Sequence, residues 1–429
     1  MVAPRLAKIF SIAVIVTFLL SSVESAKNDT DCPKTLSINS KSTGKEKSVI
    51  VVFKNEAAAK RQYEMFKNCL NADVDSFDKI KSLSKSKKSK PTFTSFGVFS
   101  LFGLTGKMTQ EDVKELEKMD DVDYIEEDGE VKTQYAIPSS HLISRAVDNN
   151  PTFNIDRIDQ AKRPPDGKYT FPDSAGQGVN IFVVDTGINI KHSEFGNRAK
   201  IGGSFCDGCN DDDENGHGTH VSSIAAGKTL GVARKANLVA VRVLDAKGSG
   251  SNSGVIAGLE FVGKQHNASK NKKSVVNMSL GGAKSKAVND AVAKLTAAGV
   301  HVVVAAGNES QDACNTSPAS EPSAITVGAT EKDSDAVTDF SNDGKCVDTF
   351  APGRDIEGAD FQDENGTVVF SGTSQACPHV AGTVALIIAK NGNKSPDAMA
   401  TELKNLSTKG VVKGLKNGSP DSFLRTPSA

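Results

Sequence analysis

Val179-Asn180-Ile181-Phe182-Val183-Val184-Asp185-Thr186-Gly187 is the stretch that decides the fold. From Val179 to Val184 the run is apolar except for Asn180. A strand reads this way when both of its faces are covered, since neither face then needs polar side chains. The sequence around it keeps alternating. Leu238 to Leu244 is a second apolar run, Ser253 to Asn267 has helical patterning, and Ser274 to Met278 is strand. Ala287 to Ala298 reads as helix and Val300 to Ala306 as strand. Ser374 to Lys390 reads as a strongly apolar helix and Pro396 to Leu406 as a final amphipathic one. This alternation predicts an α/β unit with a mainly parallel central sheet and helices on both faces. In such sheets the chemistry lies beyond the carboxyl ends of the strands. Asp185 stands at that end of the first strand.

A carboxylate there is costly to leave unpaired. Two later motifs supply partners: Asn215-Gly216-His217-Gly218-Thr219-His220 and Gly372-Thr373-Ser374-Gln375-Ala376. A serine hydroxyl is a poor nucleophile until a base reaches it, and the base needs an orienting group. Asp185, His217 and Ser374 provide those roles in that order. Ser374 opens a helix, whose amino end offers unpaired N–H groups and positive potential to a developing oxyanion. Pro378 lies in the first turns, where a missing N–H costs least. Asn308 follows a buried strand and Gly307, with an amide able to donate. Taken singly, Ser374 reads as a helix cap and Asn308 as a turn or cap residue; the ordered set outweighs those readings. A metal pair at His217 and His220 is the rival. The zinc-protease pattern has a Glu beside the first His and the second His four residues on, and neither is present. His220 therefore reads as a structural histidine.

The 429 residues suffice for two or three folded units, and the net charge of −1 suggests no nucleic-acid partner. Arg5 and Lys8, the apolar run Ile9 to Leu20, and the mostly small or polar Ser21 to Ser25 form a secretory signal, residues 1–25. An uncleaved anchor is the alternative, but the run is short for a bilayer. No later segment is apolar enough to cross a membrane, so a secreted protein is expected. Its seven cysteines then meet an oxidising compartment, and the odd count leaves at least one unpaired. Asn28, Asn267, Asn315, Asn365 and Asn393 begin glycosylation acceptors.

A smaller unit precedes the sheet. Ser48 to Phe53 reads as strand, Ala57 to Leu70 as helix, Phe93 to Leu104 as strand, Thr109 to Met119 as helix, and Val122 to Ile125 as strand. Thr109 and Asp112 make an imperfect capping box. Together these predict a small open sheet with two helices on one face. Lys79 to Lys90, without an acidic residue, reads as a solvated loop. Gln134 to Pro151 is polar and aperiodic, and reads as a linker to be cut.

The motifs resemble the subtilisin-like serine proteases, the subtilases. The likeness runs over most of residues 146–420. Ser174-Ala175-Gly176-Gln177-Gly178, Gly248-Ser249-Gly250, Ser279-Leu280-Gly281-Gly282, Ala305-Ala306-Gly307-Asn308, Ser317-Pro318-Ala319-Ser320-Glu321-Pro322 and Phe340-Ser341-Asn342 are similar to the proteinase K branch. The resemblance implies the subtilisin-like three-layer α/β fold for 146–429, preceded by a small α+β inhibitory propeptide within 26–145. The folded part of that propeptide would be about 48–131, with Val122-Asp123-Tyr124-Ile125-Glu126 its best match. It further implies a maturation cut near Arg145-Ala146. Asp185 would orient His217, His217 would move the proton, Ser374 would attack, and Asn308 with the Ser374 N–H would hold the oxyanion.

An extended peptide would pair with Gly248, Ser249 and Gly250 and with Ser279, Leu280 and Gly281. Leu280, Ala305 and Gly307 would line an apolar pocket for the residue before the cut, although small residues also suit tight packing. Gln375 and Asn252 depart from the family's usual Met and aromatic. Relatives imply a Cys314–Cys346 disulfide. Cys206 and Cys209 read as a local disulfide with a metal half-site as rival, and Cys377 as a buried free thiol. No cofactor is expected for the chemistry. A structural calcium on Pro322, Ala324 and Asp348 is implied by the resemblance, and the acidic run Asp211 to Glu214 reads as a solvated loop or a second cation site. The expected protein is a monomeric, self-processed secreted endopeptidase acting on proteins or peptides, with its own propeptide as intramolecular inhibitor. An inactive subtilase-scaffold binding protein is the first rival. A serine esterase is the second, but its G-x-S-x-G elbow and Ser-Asp-His order are absent.

Overall fold

The computed structural model describes residues 45–69, 73–76, 92–134, 137–143 and 151–428. The signal at 1–25, Cys32, the lysine-rich loop and the expected cut at Arg145-Ala146 lie outside them. The amino-terminal unit runs β1 (Lys47–Phe53), α1 (Glu56–Cys69), β2 (Asp73–Ser76), β3 (Thr92–Val98), β4 (Leu101–Met108), α2 (Gln110–Leu116) and β5 (Val122–Glu127). Its sheet has the order β2-β3-β4-β1-β5. Alternate residues of β1 serve two cores. Val49, Val51 and Phe53 pack with Ala58, Phe66 and Leu116 from the two helices. Ile50 and Val52 turn to the other face and join a cluster with Val255, Leu259, Val288 and Leu295 of the larger unit. The unbroken apolar run in β1 therefore reflects a sheet covered on both sides.

Phe93 to Leu104 is not the single strand expected but a hairpin. β3 and β4 pair antiparallel, Val98 opposite Leu101, and Phe99 turns the chain at φ 52°. Apolar residues on both arms hid the turn. Thr109 caps α2 with both capping-box bonds made, so Asp112 serves fully in place of a longer acid. The expected linker from Gln134 to Pro151 also needs correction. Glu130–Thr133 is strand β6, Gln134 is buried, and Ile137–Ile143 is strand β7. Main-chain pairing holds β6 and β7, so no apolar period marks them.

The larger unit begins with α3 (Phe153–Ile158) and continues β8 (Asn180–Asp185), β9 (Ala199–Ser204), α4 (His217–Ala226), β10 (Asn237–Arg242), β11 (Ser249–Ser251), α5 (Asn252–Ala268), β12 (Ser274–Met278), β13 (Leu280–Ala283) and α6 (Lys286–Ala297). After these come β14 (His301–Ala305), β15 (Thr316–Ser317), β16 (Ile325–Thr330), β17 (Thr349–Pro352), β18 (Ile356–Ala359), β19 (Thr367–Ser371), α7 (Thr373–Asn391) and α8 (Pro396–Leu406). Seven strands form the central sheet in the order β17-β16-β14-β12-β8-β10-β9. Every pair in it is parallel. β8 lies inside, with Ile181 and Val183 in one core and Phe182 and Val184 in the other. β9, β16 and β17 are added to the expected strands; they are short or rich in Gly and Thr. Helix α7 is buried from Thr373 to Ile388. Cys206–Cys209 and Cys314–Cys346 are disulfides, so the metal half-site is not needed, and Cys377 is free and buried. Burial pushes the Cys377 thiol up, which suits an inert core residue.

Candidate active site

Asp185 ends β8 fully buried. Its Oδ1 accepts from the Thr186 N–H at 2.7 Å and from His217 Nδ1 at 2.8 Å. His217 opens α4 directly opposite. The two segments touch because glycines stand between them: a Cβ on Gly218 would lie 2.1 Å from the Gly187 carbonyl oxygen. Gly216, at φ 101°, makes the turn into the helix.

Ser374 is the second residue of α7. Its hydroxyl donates to the Ser279 carbonyl at 2.9 Å, and the Ser279 hydroxyl donates to the Ser374 carbonyl at 2.9 Å. Pro378 explains the second bond. It has no N–H to give the carbonyl four residues back, so that carbonyl is open to Ser279. Asn308 follows β14. Its Oδ1 accepts from the Thr373 N–H at 2.9 Å and the Thr373 hydroxyl at 3.0 Å, while the Gly307 N–H donates to Thr373 Oγ1 at 3.2 Å. The oxygen end is thereby anchored, and the buried Nδ2 has no protein partner. Thr373 was not singled out from sequence, though it lies inside the serine motif.

The cleft already holds a peptide. β6 pairs antiparallel with β11 on one side and β13 on the other, with Gly250 and Gly282 both opposite Val131. The Thr133 N–H donates to the Gly248 carbonyl at 2.9 Å, and the Gln134 N–H to the Ser279 carbonyl at 3.2 Å. The Ser374 N–H donates to the Gln134 carbonyl at 3.0 Å. Gly248, Ser249, Gly250, Ser279, Leu280 and Gly281 thus form the two rails around one extended strand. Leu280 shares its apolar cluster with Val131. Ala305 packs into the opposite core, behind Asn308. The Gln134 side chain lies against Gly281, its Nε2 donating to the Gly281 carbonyl at 3.3 Å. Asn252 extends the rail, its N–H donating to the Gly129 carbonyl at 2.9 Å. Nothing in the sequence of Gln134 announced this position.

His220 stacks on Phe370 and bonds the Val368 carbonyl through Nε2 at 3.1 Å. Burial, with the neighbouring His217, pushes its pKa down to about 3, so it is a neutral structural residue. The acidic run is not a solvated loop throughout. Asp213 is buried, and Glu214 pairs with the buried Arg242 at 2.8 Å. Of the three residues expected to hold calcium, Asp348 is engaged by protein groups. Asp348 gives one oxygen to the Thr326 N–H at 2.9 Å and the other to the Lys404 ammonium at 2.8 Å. Among the described residues no cluster of three or more His, Cys, Asp or Glu is arranged to hold a metal.

A serine at a helix amino end with its N–H on the carbonyl of an extended peptide, and a buried Asp–His pair, are the parts a serine protease needs. Residues 176–419 match the subtilase family, Peptidase S8, and the chain belongs to that family. Residues 48–134 match the peptidase inhibitor I9 family, so the amino-terminal unit is an inhibitor propeptide. The chain is 48% identical to Subtilisin-like protease 2 of Pseudogymnoascus destructans over 69% of its length and 70% of that protein. It is 45% identical to Subtilisin-like protease 7 of Arthroderma benhamiae over 73% of its length and 74% of that protein. It is also 45% identical to an extracellular serine proteinase of a Thermus species, over 71% of each. A solved cold-adapted subtilisin-like serine proteinase superposes with a TM-score of 0.61 at 41% identity, covering 66% of this chain and all of that one.

Proposed function

We propose that this subtilase is a secreted endopeptidase that cuts its own chain between Gln134 and Tyr135. The observation that carries the reading is the Gln134 carbonyl on the Ser374 N–H, at the end of a strand held by both rails. In the reaction the Ser374 hydroxyl leaves the Ser279 carbonyl and turns to His217. His217 Nε2 takes its proton as Oγ attacks the substrate carbonyl carbon. Asp185 holds the Nδ1–H and balances the imidazolium. The oxyanion is held by the Ser374 N–H and by Asn308 Nδ2, whose direction Thr373 sets. His217 then protonates the departing amine, and water repeats the sequence on the acyl-enzyme. No cofactor enters.

The expected lining of the first pocket, Leu280, Ala305 and Gly307, is apolar or lacks a side chain. It therefore suits neutral side chains broadly, apolar ones above all; Gln134 is a neutral amide on an apolar stem. The cut belongs ten residues or so before Arg145-Ala146. Export rests on the signal at 1–25, and on the extracellular relative in Thermus. No helix among the described residues is long and apolar enough to cross a membrane.

The test is Ser374→Ala beside the wild type, with fluorophosphonate labelling and amino-terminal sequencing. The wild type should label at Ser374 and yield a chain starting at Tyr135; the variant should stay at precursor size. No label and no cleavage would support the inactive-scaffold rival. A start at Ala146 with none at Tyr135 would refute the position of the cut.

A further inference from the structure

We infer that Asp213 is a positioning residue that sets the placement of His217 against Asp185; this rests on the proteolytic reading above. Its carboxylate is 7% exposed, although it sits in an acidic run. Oδ1 accepts from the Thr186 hydroxyl at 2.9 Å, the Asn215 N–H at 3.0 Å and the Gly216 N–H at 2.8 Å. Oδ2 accepts from the Thr219 N–H at 2.9 Å and the Thr219 hydroxyl at 2.6 Å. Every one of these donors belongs to the Asp185 motif or the His217 motif.

The contacts form a closed bridge. Thr186 is held by its N–H on Asp185 and by its hydroxyl on Asp213, and the same hydroxyl accepts from the Gly218 N–H at 2.9 Å. On the helix side Gly216 is the cap residue and has no side chain to satisfy the first-turn donors of α4. Its place is shared: the His217 N–H goes to Asn215 Oδ1 at 3.2 Å, the Gly218 N–H to Thr186, and the Thr219 N–H to Asp213, and a carboxylate at a helix amino end is favoured by the local field. One carboxylate thus joins the residue after Asp185 to the residues on both sides of His217. Asp185 and His217 are 32 apart in sequence, so their 2.8 Å bond depends on such a bridge. Among these contacts Asp213 touches neither the imidazole nor the bound peptide strand.

Asparagine matches the shape but has one acceptor oxygen. Its NH2 would face either the Thr219 donors or the Thr186, Asn215 and Gly216 donors. The experiment compares wild type with Asp213→Asn, Thr186→Val and Thr219→Ser, each precursor matured by added wild-type protease and repurified by tag. Peptide hydrolysis, thermal unfolding, and the low-field proton resonance of the His217 Nδ1–H are recorded. Asp213→Asn should lose at least tenfold in kcat with KM within twofold, and its resonance should shift or broaden. Thr186→Val, which leaves the carboxylate in place, should lose kcat less, and Thr219→Ser should stay near wild type. Normal kcat and an unmoved resonance in both Asp213→Asn and Thr186→Val would overturn the inference, even if their unfolding temperatures fell. Should Asp213→Asn not fold, Thr186→Val decides alone by the same readouts. A wild type that neither labels nor cleaves would instead sink the proteolytic reading, so the two failures are distinct.

Discussion

Asn308 can present only one end of its amide to the substrate. Thr373 donates to the oxygen twice, which leaves Nδ2 as the donor. Asn308→Ala should therefore lower kcat with little change in KM, by about 10²–10³-fold, a magnitude carried over from subtilisin itself. Thr373→Val should lower kcat by roughly tenfold, because the amide keeps its chemistry but loses its orientation. Steady-state kinetics on one peptide check both, and a change confined to KM would contradict the assignment. Asp185, His217, Ser374 and Asn308 stood out as candidates in the sequence because the proposed reaction demands those residue types in small-residue settings. Thr373 and Asp213 act by holding other groups, a task many residue types share, so their types carried no such signal; Ser279 stood out only as part of a peptide-binding rail, not for its hydroxyl on Ser374.

At the scale of elements, the propeptide is joined to the protease through helix ends as well as through the cleft. Glu126 accepts from the Ser285 hydroxyl and the Lys286 N–H at the start of α6. Asp128 accepts from the N–H and hydroxyl of Ser253 at the start of α5, at 2.9 and 2.7 Å. Tyr124 donates to Asp290 at 2.7 Å, and Lys286 stands over its ring. A capping carboxylate is worth about 1 kcal/mol, or roughly fivefold in an equilibrium. Glu126→Ala and Asp128→Ala should each speed release of the cut propeptide by about that factor, shortening the lag before peptide hydrolysis appears. An unchanged lag in the double variant would show that these caps do not hold the complex. The strands and helices themselves were readable where apolar runs or caps mark them, as at β1, β8 and Thr109. They were misread where pairing is by main chain alone, as from Glu130 to Ile143, or where two apolar arms meet at a tight turn, as at Phe99.

Among the described residues the larger unit has a core on each face of the parallel sheet, with α7 buried through the first, and the amino-terminal unit adds a third. That burial carries one histidine, His379, with it. His379 donates through Nδ1 to the Gln375 carbonyl at 2.7 Å and accepts at Nε2 from Asn154 Nδ2 at 2.8 Å. Burial pushes its pKa down from 6.5 to about 4. The unfolded chain therefore binds more protons than the folded one between these values, and stability falls as pH drops through that window. A depression of this size corresponds to stability on the order of 3 kcal/mol, present above about pH 6.5 and gone below about pH 4. Thermal unfolding of the Ser374→Ala protein between pH 7 and 4, with and without His379→Gln, isolates the contribution. Equal slopes in the two would refute it.

By itself the sequence determined the kind of sheet, the candidate side chains for the proposed reaction and the existence of a separate unit before them. Those features are local: periodicity, residue type and spacing express them within a few residues. Only the tertiary structure decided which peptide lies in the cleft, that Gln134 reaches Ser374, and that Asp213 bridges the two motifs. These contacts join distant segments, largely through backbone N–H and C=O groups that every residue but proline carries alike, so no residue type announces them.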